Sequence, residues 1–140
     1  MNGHWNVDLV GEFSPEEWTG FVYEIVNTTS GRKYIGRKLL VKKKTKVTKG
    51  KKKRLLVESD WKTYSGSNKT LLEDIEKLGS HYFKFTILKL CKGRGELNYY
   101  ETKEIFARDC LLDETYYNEW VTCKVARSHL NAQSKTRKRQ

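Results

Sequence analysis

The stretch that decides the fold is FVYEIVNTTSGRKYIG, residues 21–36. Two runs of aromatic and β-branched residues flank the turn-forming sequence NTTSG. Runs of this kind on either side of an Asn, Ser and Gly turn are typical of a β-hairpin. We therefore predict strands over 20–26 and 33–40, which would bring Tyr23 and Tyr34 into one site.

The chain has 140 residues and a net charge of +11, and its cations are unevenly distributed. Segment 37–54 contains eleven Lys and Arg residues and no acid, and segment 124–139 contains six more, again with no acid. Concentrated charge of this kind is typical of nucleic-acid-binding proteins. The alternative is a solvated linker and tail that serve solubility. Membrane-surface binding is disfavoured, because neither segment has large apolar residues at helical spacing.

Length and composition favour one folded domain. Aromatic residues make up 12% of the chain, which argues against wholesale disorder. No segment has the roughly 18 apolar residues of a membrane span, and the N-terminus lacks a signal-peptide pattern, so we expect a cytoplasmic protein. Cys91, Cys110 and Cys123 are widely spaced without a CxxC pair, so we expect reduced structural thiols rather than a zinc site.

The pattern outside the hairpin predicts two longer helices and a third strand. A short helix begins in the lead-in, with Ser14 as its N-cap in a capping box. The longer elements are a helix over 68–78, a strand over 82–90 and a helix over 96–108. We expect segment 41–54 to be a mobile loop or an extended ribbon that orders on binding.

The predicted fold is therefore an α+β domain, with a three-stranded antiparallel sheet flanked by helices. The domain occupies residues 20–122, after the lead-in 1–19 and before a basic C-terminal tail over 123–140. The 41–54 segment is a basic insertion within it.

Glu101 is the clearest anomaly in the 96–108 helix. Helical periodicity places it on the packed face with Leu97 and Ile105. A carboxylate there needs a partner, because an isolated buried charge is costly. A metal ion and a salt bridge to an Arg or Lys are equally open from the pattern, and Glu104 is a rival ligand.

These residues together resemble the GIY-YIG nuclease superfamily. Tyr23 and Tyr34 match the two motif tyrosines, with ten residues between them. YIG at 34–36 is a complete second motif, whereas FVY at 21–23 replaces the first, with Gly20 one place upstream.

Later positions extend the resemblance over roughly residues 20–120. Glu101 stands where the family has a metal-binding Glu on a helix, and Asn118 follows a Tyr as the family's late Asn does. Segments 60–67 and 78–83 have counterparts in small phage-encoded members of the Seg type, which are related to free-standing homing endonucleases.

The resemblance implies a divalent-metal-dependent DNA endonuclease. A motif tyrosine would act as general base on the attacking water, and Glu101 would hold one Mg²⁺ or Mn²⁺ ion. A phenol has an ordinary pKa of about 10, so nearby cations would have to lower it. Arg37, Lys38 and the lysine run could supply them.

The family's catalytic Arg is not matched directly, because its position holds Lys44. Arg37 and Arg54 are the candidates: Arg54 is favoured for transition-state stabilisation, and Arg37 with Lys38 for phosphate contacts. The resulting catalytic set is Tyr23, Tyr34, Arg37, Arg54, Glu101 and Asn118. The expected DNA-binding set is Lys38, Lys42, Lys43, Lys44, Lys51, Lys52, Lys53, Ser65, Ser67, Arg137, Lys138 and Arg139.

The expected partner is DNA, with neither a membrane nor a small-molecule cofactor, and the expected location is the host cytoplasm if the chain is phage-encoded. Oligomeric state is open, including a dimer on DNA. Two alternatives remain: a nucleic-acid-binding protein on the same scaffold without cleavage, and a basic RNA- or ribosome-associated protein. The inward-facing Glu101 argues against the second, since a binder has no need of that carboxylate.

Overall fold

A computed structural model describes residues 1–130 as an α+β fold with two sheets. Its strands, in chain order, are β1 (Trp5–Asn6), β2 (Gly20–Asn27), β3 (Lys33–Leu39), β4 (Val41–Thr48), β5 (Lys51–Glu58) and β6 (Phe83–Cys91). Its helices are α1 (Lys69–Leu78), α2 (Arg94–Ala107) and the short α3 (Arg127–Leu130). The larger sheet has the order β1-β6-β2-β3, and β4 pairs with β5 separately.

The larger sheet has four strands, so the prediction of three was wrong. The two antiparallel pairings of β2, with β3 and with β6, follow the predicted hairpin and third strand. The additional strand is β1, which runs parallel to β6 and places Trp5 opposite Phe85. Trp5 is buried, and its indole N–H donates to the carbonyl of Trp61. The burial of Trp5 holds β1 against β6, although β1 is too short to show an alternating sequence pattern.

Both faces of the sheet are covered by helices. Because side chains alternate along a strand, Tyr23 points to the core on one face, where Leu71 of α1 packs. Val22 points to the other face, against Leu97 and Ile105 of α2. Asn68 caps α1 by accepting from the Leu71 N–H.

A three-residue 3-10 helix, Pro15–Glu17, begins where the lead-in helix was predicted. The predicted capping box is wrong, because the Ser14 side chain makes no capping hydrogen bond. One turn of 3-10 helix leaves few backbone N–H groups for a cap to satisfy.

The basic insertion is an extended ribbon, one of the two forms expected for it. It continues past Arg54 as far as Glu58. Its turn residues Lys49 and Gly50 have φ of 52° and 76°, as a two-residue type I′ hairpin turn requires. At its base, the Ser59 N–H donates to the carbonyl of buried Leu40.

Segment 115–118 lines the outer edge of β3. The Lys33 N–H donates to Thr115 at 2.8 Å, and the Tyr117 N–H donates to the Lys33 carbonyl at 2.7 Å. The buried Tyr117 hydroxyl donates to Asp74 of α1 at 2.7 Å. These bonds fix the late Tyr-Asn pair beside the second motif strand.

Within the described residues, no helix combines the length and hydropathy that a bilayer crossing requires. Cys91 and Cys110 are buried thiols, whereas Cys123 is exposed. The predicted DNA contacts Arg137, Lys138 and Arg139 lie outside the described residues.

Candidate active site

A cavity of about 670 Å³ lies where β3, the loop before α1, and α2 meet. Its wall includes six of the residues that the sequence nominated: Tyr23, Tyr34, Arg37, Ser67, Glu101 and Asn118. Its other polar lining residues include Tyr64, Asn98 and Glu119. The structure therefore brings together residues that are up to about 100 positions apart in the chain.

The two motif tyrosines are neighbours in the wall of the cavity. Their ring centroids are 6.2 Å apart, and Tyr23 is 1% exposed while Tyr34 is half-buried. Burial raises the pKa of Tyr23 well above its ordinary value, and the neighbouring Tyr34, Tyr64 and Glu101 add to the effect. Tyr34 is thus the more accessible phenol.

Cations were expected to lower the pKa of the tyrosines, and in this structure burial outweighs them. Burial raises the pKa of Tyr34, while a hydrogen bond with Ser67 and the charge of Arg37 act in the opposite direction. The lysine run contributes little, because it lies on the ribbon rather than in the cavity wall. Burial therefore favours the neutral form of the Tyr34 phenol.

The motif glycine makes room for the tyrosine pair. A Cβ built on Gly36 would lie 2.4 Å from the Tyr23 Oη and 2.8 Å from the Tyr34 Cε2. Gly66 closes the other side with φ of +91°, and its Cβ position is 3.4 Å from the Tyr23 Oη. The Tyr23 hydroxyl is thus enclosed between two glycines.

Glu101 forms a salt bridge, and it does so inside the cavity. Arg37 Nη1 donates to Glu101 Oε1 at 3.0 Å, and the side chains are 41% and 14% exposed. Burial raises the pKa of Glu101, and the charge and hydrogen bond of Arg37 oppose that rise. The two interpretations of Glu101 are therefore compatible, since the same carboxylate is paired here and faces the site.

Lys38 is held beside the cavity by two contacts. Its Nζ lies 2.6 Å from Asp60 Oδ1 and 4.1 Å from the ring centroid of Tyr64. Tyr64 lines the cavity, with its ring centroid 6.1 Å from that of Tyr23. No role was predicted for Tyr64 from the sequence. Its position just before the Ser-Gly-Ser turn that leads into α1 was the available signal.

Asn118 holds the second motif strand. Its Nδ2 donates to the Ile35 carbonyl at 2.8 Å, and its Oδ1 accepts from the Ile35 N–H at 3.0 Å. The amide thus satisfies both backbone groups of Ile35 and stands in for a further strand. This geometry makes Asn118 a positioning residue for the Tyr34 strand.

Arg54 is not brought to the cavity. It lies on the ribbon opposite Thr45, is exposed, and is absent from the cavity wall. Because β5 pairs with β4, Arg54 lies partway along the ribbon and away from the cavity. Glu104 is also outside the wall, where it accepts from Arg108 Nε at 3.0 Å.

The predicted DNA-binding residues fall into two groups. Ser67 lines the cavity, and Ser65 lies just outside its wall, where its hydroxyl donates to the Thr63 carbonyl. Apart from Lys38 on β3, the remaining ones in the described residues are exposed on the ribbon: Lys42, Lys43, Lys44, Lys51, Lys52 and Lys53.

The donor groups of the cavity fit a hard divalent cation. Residues 1–130 contain no cluster of three or more His, Cys, Asp or Glu side chains suited to hold a metal by themselves. The cavity does contain the carboxylates of Glu101 and Glu119. Mg²⁺ commonly takes one or two carboxylates together with waters and substrate phosphates, so the site suits a metal that the substrate helps to bind.

Comparison with known proteins gave two matches. The family described as "Putative endonuclease segE, GIY-YIG domain" matches residues 5–121. The protein "Putative endonuclease segE" of Enterobacteria phage T4 is 33% identical over 98 residues, which are 70% of this chain and 39% of that protein. This chain thus corresponds to well under half of that relative's length. No solved structure matches it significantly.

Proposed function

The chain belongs to the GIY-YIG domain family of segE, and from this membership we propose that it is a DNA endonuclease that uses a divalent metal ion. The observation that carries the proposal is the Arg37–Glu101 pair at 3.0 Å in a cavity that also exposes Tyr34. Phosphodiester hydrolysis needs a base for water, a cation at the phosphate and a group that holds a metal. These three side chains supply them.

Tyr34 is the proposed general base. It is more exposed than Tyr23, and the charge of Arg37 opposes the rise in its pKa that burial causes. A bound phosphodiester and its counterions would change the electrostatic potential at the Tyr34 hydroxyl, and with it the pKa of Tyr34. The Tyr23 hydroxyl is enclosed by Gly36 and Gly66. Tyr23 would therefore help to hold Tyr34 in position rather than exchange protons with solvent.

Arg37 takes the role of the catalytic cation in place of Arg54. Its guanidinium donates to Glu101, and its side chain is 41% exposed, so other N–H groups of the guanidinium can reach a phosphate oxygen. An Arg fork matches a phosphate bidentately, which is the geometry that charge stabilisation at a phosphodiester requires. Its position directly after the second motif keeps it on the rigid β3 strand.

Glu101 is the proposed holder of Mg²⁺ or Mn²⁺. When bound there, the ion would supply Lewis-acid stabilisation of the scissile phosphate and the leaving oxygen. Glu101 is well placed for this, because one oxygen of its half-buried carboxylate is bonded to Arg37, while the second oxygen has no such partner among residues 1–130. Asn118 and the 115–118 segment keep β3 fixed opposite this helix.

The degenerate first tripeptide does not remove a site group. Phe21 and Val22 are both fully buried in the two core clusters, and only Tyr23 reaches the cavity. Gly20 allows α2 to pack closely against β2, because a Cβ at this position would lie 2.8 Å from Leu97 Cδ2. The departure from the family pattern is therefore absorbed by packing, and this favours the enzyme over the pure binder.

The test compares two isosteric substitutions one turn apart on α2. We expect Glu101→Gln to abolish Mg²⁺- or Mn²⁺-dependent nicking of plasmid DNA while DNA affinity is kept or improved. Glu104→Gln removes a carboxylate of the same helix outside the cavity, so it should nick at the wild-type rate. Both variants should show unchanged thermal midpoints.

Three results would contradict the proposal. Equal cutting by Glu101→Gln and Glu104→Gln would remove Glu101 from the mechanism. Loss of folding in Glu101→Gln would favour the purely structural salt bridge. A folded wild type that retards DNA without metal-dependent cutting would favour the binding protein.

A further inference from the structure

The two faces of the basic ribbon differ in charge, although its sequence is basic throughout. Directly opposite residues of an antiparallel pair share a face. By the register of β4 and β5, one face carries five lysines and no acid, and is called the lysine face: Lys42, Lys44, Lys46, Lys51 and Lys53. The same face carries the partly buried Leu55 and Val57 near the base of the ribbon. The other, the mixed face, carries Lys43, Lys52 and Arg54 together with Glu58, Val47 and Leu56.

The lysine face is costly for the isolated protein. Lys46 lies directly opposite Lys53, and Lys44 and Lys51 are on the neighbouring rows of the same face. Like charges directly opposite each other destabilise a strand pair. None of these lysines has a salt-bridge partner among the described residues. A polyanion laid against this face would neutralise the repulsion.

The lysine face continues from the cavity. Tyr64 of the cavity wall contacts Lys38, and Lys38 is paired with Asp60. The hydrogen bond from Lys38 lowers the pKa of Asp60, and the charge of Lys42 contributes to the same effect. Lys42 is the first residue of the lysine face, so positive potential extends from the cavity onto that face of the ribbon.

We propose that the lysine face binds the phosphates of duplex DNA next to the cleavage site, while the mixed face points away from the DNA. The inference rests on the proposed function for the nature of the substrate. It changes the set of DNA-binding residues predicted from the sequence. Lys46 is added to that set, whereas Lys43 and Lys52 are removed from it.

The dimensions agree with a duplex partner. Each ribbon strand has eight residues, or about 26 Å at about 3.3 Å per residue. That length corresponds to roughly eight base pairs at about 3.4 Å each. The ammonium groups of lysine bind phosphates as point charges, so the ribbon contributes affinity and position rather than sequence choice.

Two matched double variants test the assignment. Lys44→Gln with Lys51→Gln removes two charges from the lysine face, and Lys43→Gln with Lys52→Gln removes two from the mixed face. In each pair one residue comes from each strand, and the two cross-strand rows are separated by one row of the same face. Only the direction of the side chains differs, so net charge and ribbon position are controlled.

The readout is the affinity of the 140-residue chain for a linear duplex, measured without divalent metal over a range of NaCl. Each phosphate contact contributes about 0.9 to the slope of log K against log salt. We expect the lysine-face pair to lower that slope by about two and to weaken binding on the order of tenfold near 0.15 M salt. The mixed-face pair should change neither measurably.

Equal losses for the two pairs, no loss for either, or a wild type that does not bind duplex would each overturn the proposal. Failure of the proposed function has a different signature. In that case no variant or wild type would cut in Mg²⁺ or Mn²⁺, yet the lysine-face pair alone would still lose affinity and salt dependence.

Discussion

At the residue scale, Gly36 explains why the second motif ends in glycine. Any side chain there would meet the Tyr23 hydroxyl and the Tyr34 ring at less than 3 Å. Gly36 is buried in a sheet directly opposite Tyr23, so neither strand can shift without losing ladder hydrogen bonds. Glycine is therefore required here because it leaves room for the two tyrosine side chains, and not because the backbone adopts an unusual conformation.

Gly36→Ala should consequently damage both stability and cutting. We expect the free energy of unfolding to fall by about 1–3 kcal/mol, the usual cost of overpacking, and nicking to fall at least tenfold. Urea unfolding and the plasmid assay measure the two effects. In a Tyr23→Leu background the same substitution should cost less, since the clashing hydroxyl is absent. Additive costs would show that the clash lies elsewhere.

Six residues of the cavity wall could be nominated from the sequence, but their pairing could not. Tyr34 and Glu101 follow from motif and helical periodicity, which are local patterns. The choice of Arg37 over Arg54 depends on a contact across 64 positions, and on the ribbon carrying Arg54 away from the cavity. Tyr64 was missed because no periodic pattern marks a loop residue whose role comes from its neighbours.

At the element scale, the ribbon is separable from the domain that carries the site. Its strands pair with each other over eight positions, from Val41 opposite Glu58 to Thr48 opposite Lys51. Most of its residues are exposed, and its base is closed by Leu40 and Ser59. A two-stranded ribbon alone is marginally stable in water, so its contribution to folding stability is small.

Replacing residues 42–57 by Asn-Gly should therefore leave the domain folded. This dipeptide forms the two-residue turn that would join Val41 to Glu58. We expect thermal melting near that of wild type, and metal-dependent nicking at low salt and high protein concentration. DNA affinity near 0.15 M salt should be lost, as a filter-binding titration would show. An unfolded product would instead make the ribbon a structural element.

Most longer elements were predicted to within a few residues: helices α1 and α2 and strands β2, β3 and β6. The ribbon was one of two forms expected, and strand β1 was missed. Helix α1 and strand β6 show apolar periodicity or alternation that short-range physics dictates, whereas the apolar periodicity of α2 is weak and its buried residues are Leu97 and Ile105. The ribbon hides its alternation, because lysines occupy both faces. Strand β1 has two residues, and its partner Phe85 lies 80 positions away, so no local signal could reveal it.

At the scale of the whole molecule, the buried phenols couple folding to alkaline pH. Burial raises the pKa of Tyr23 above its ordinary value. The folded state therefore keeps a proton that the unfolded chain releases near pH 10. This contribution to stability is fully present below about pH 10 and is lost as the pH rises toward the folded-state pKa.

Tyr23→Phe should remove that part of the pH dependence. We expect the urea midpoint of wild type to fall more steeply between pH 9 and 11 than the midpoint of Tyr23→Phe. Lysine titration is shared by the two proteins, so it cancels in the difference. Parallel curves would mean that Tyr23 ionises as readily in the folded protein as in the unfolded chain.

The ribbon also determines what happens when a protease meets this protein. Exposed lysines at 42–54 offer trypsin many adjacent cleavage points. A cut there would leave β2 and β3 on one fragment and β6 on the other, yet β2 remains hydrogen-bonded to β6 along eight positions. The nicked chain would stay together as a two-piece protein with both halves of its cavity. Bound DNA would shield the same bonds, so digestion would report occupancy without any cutting of the nucleic acid.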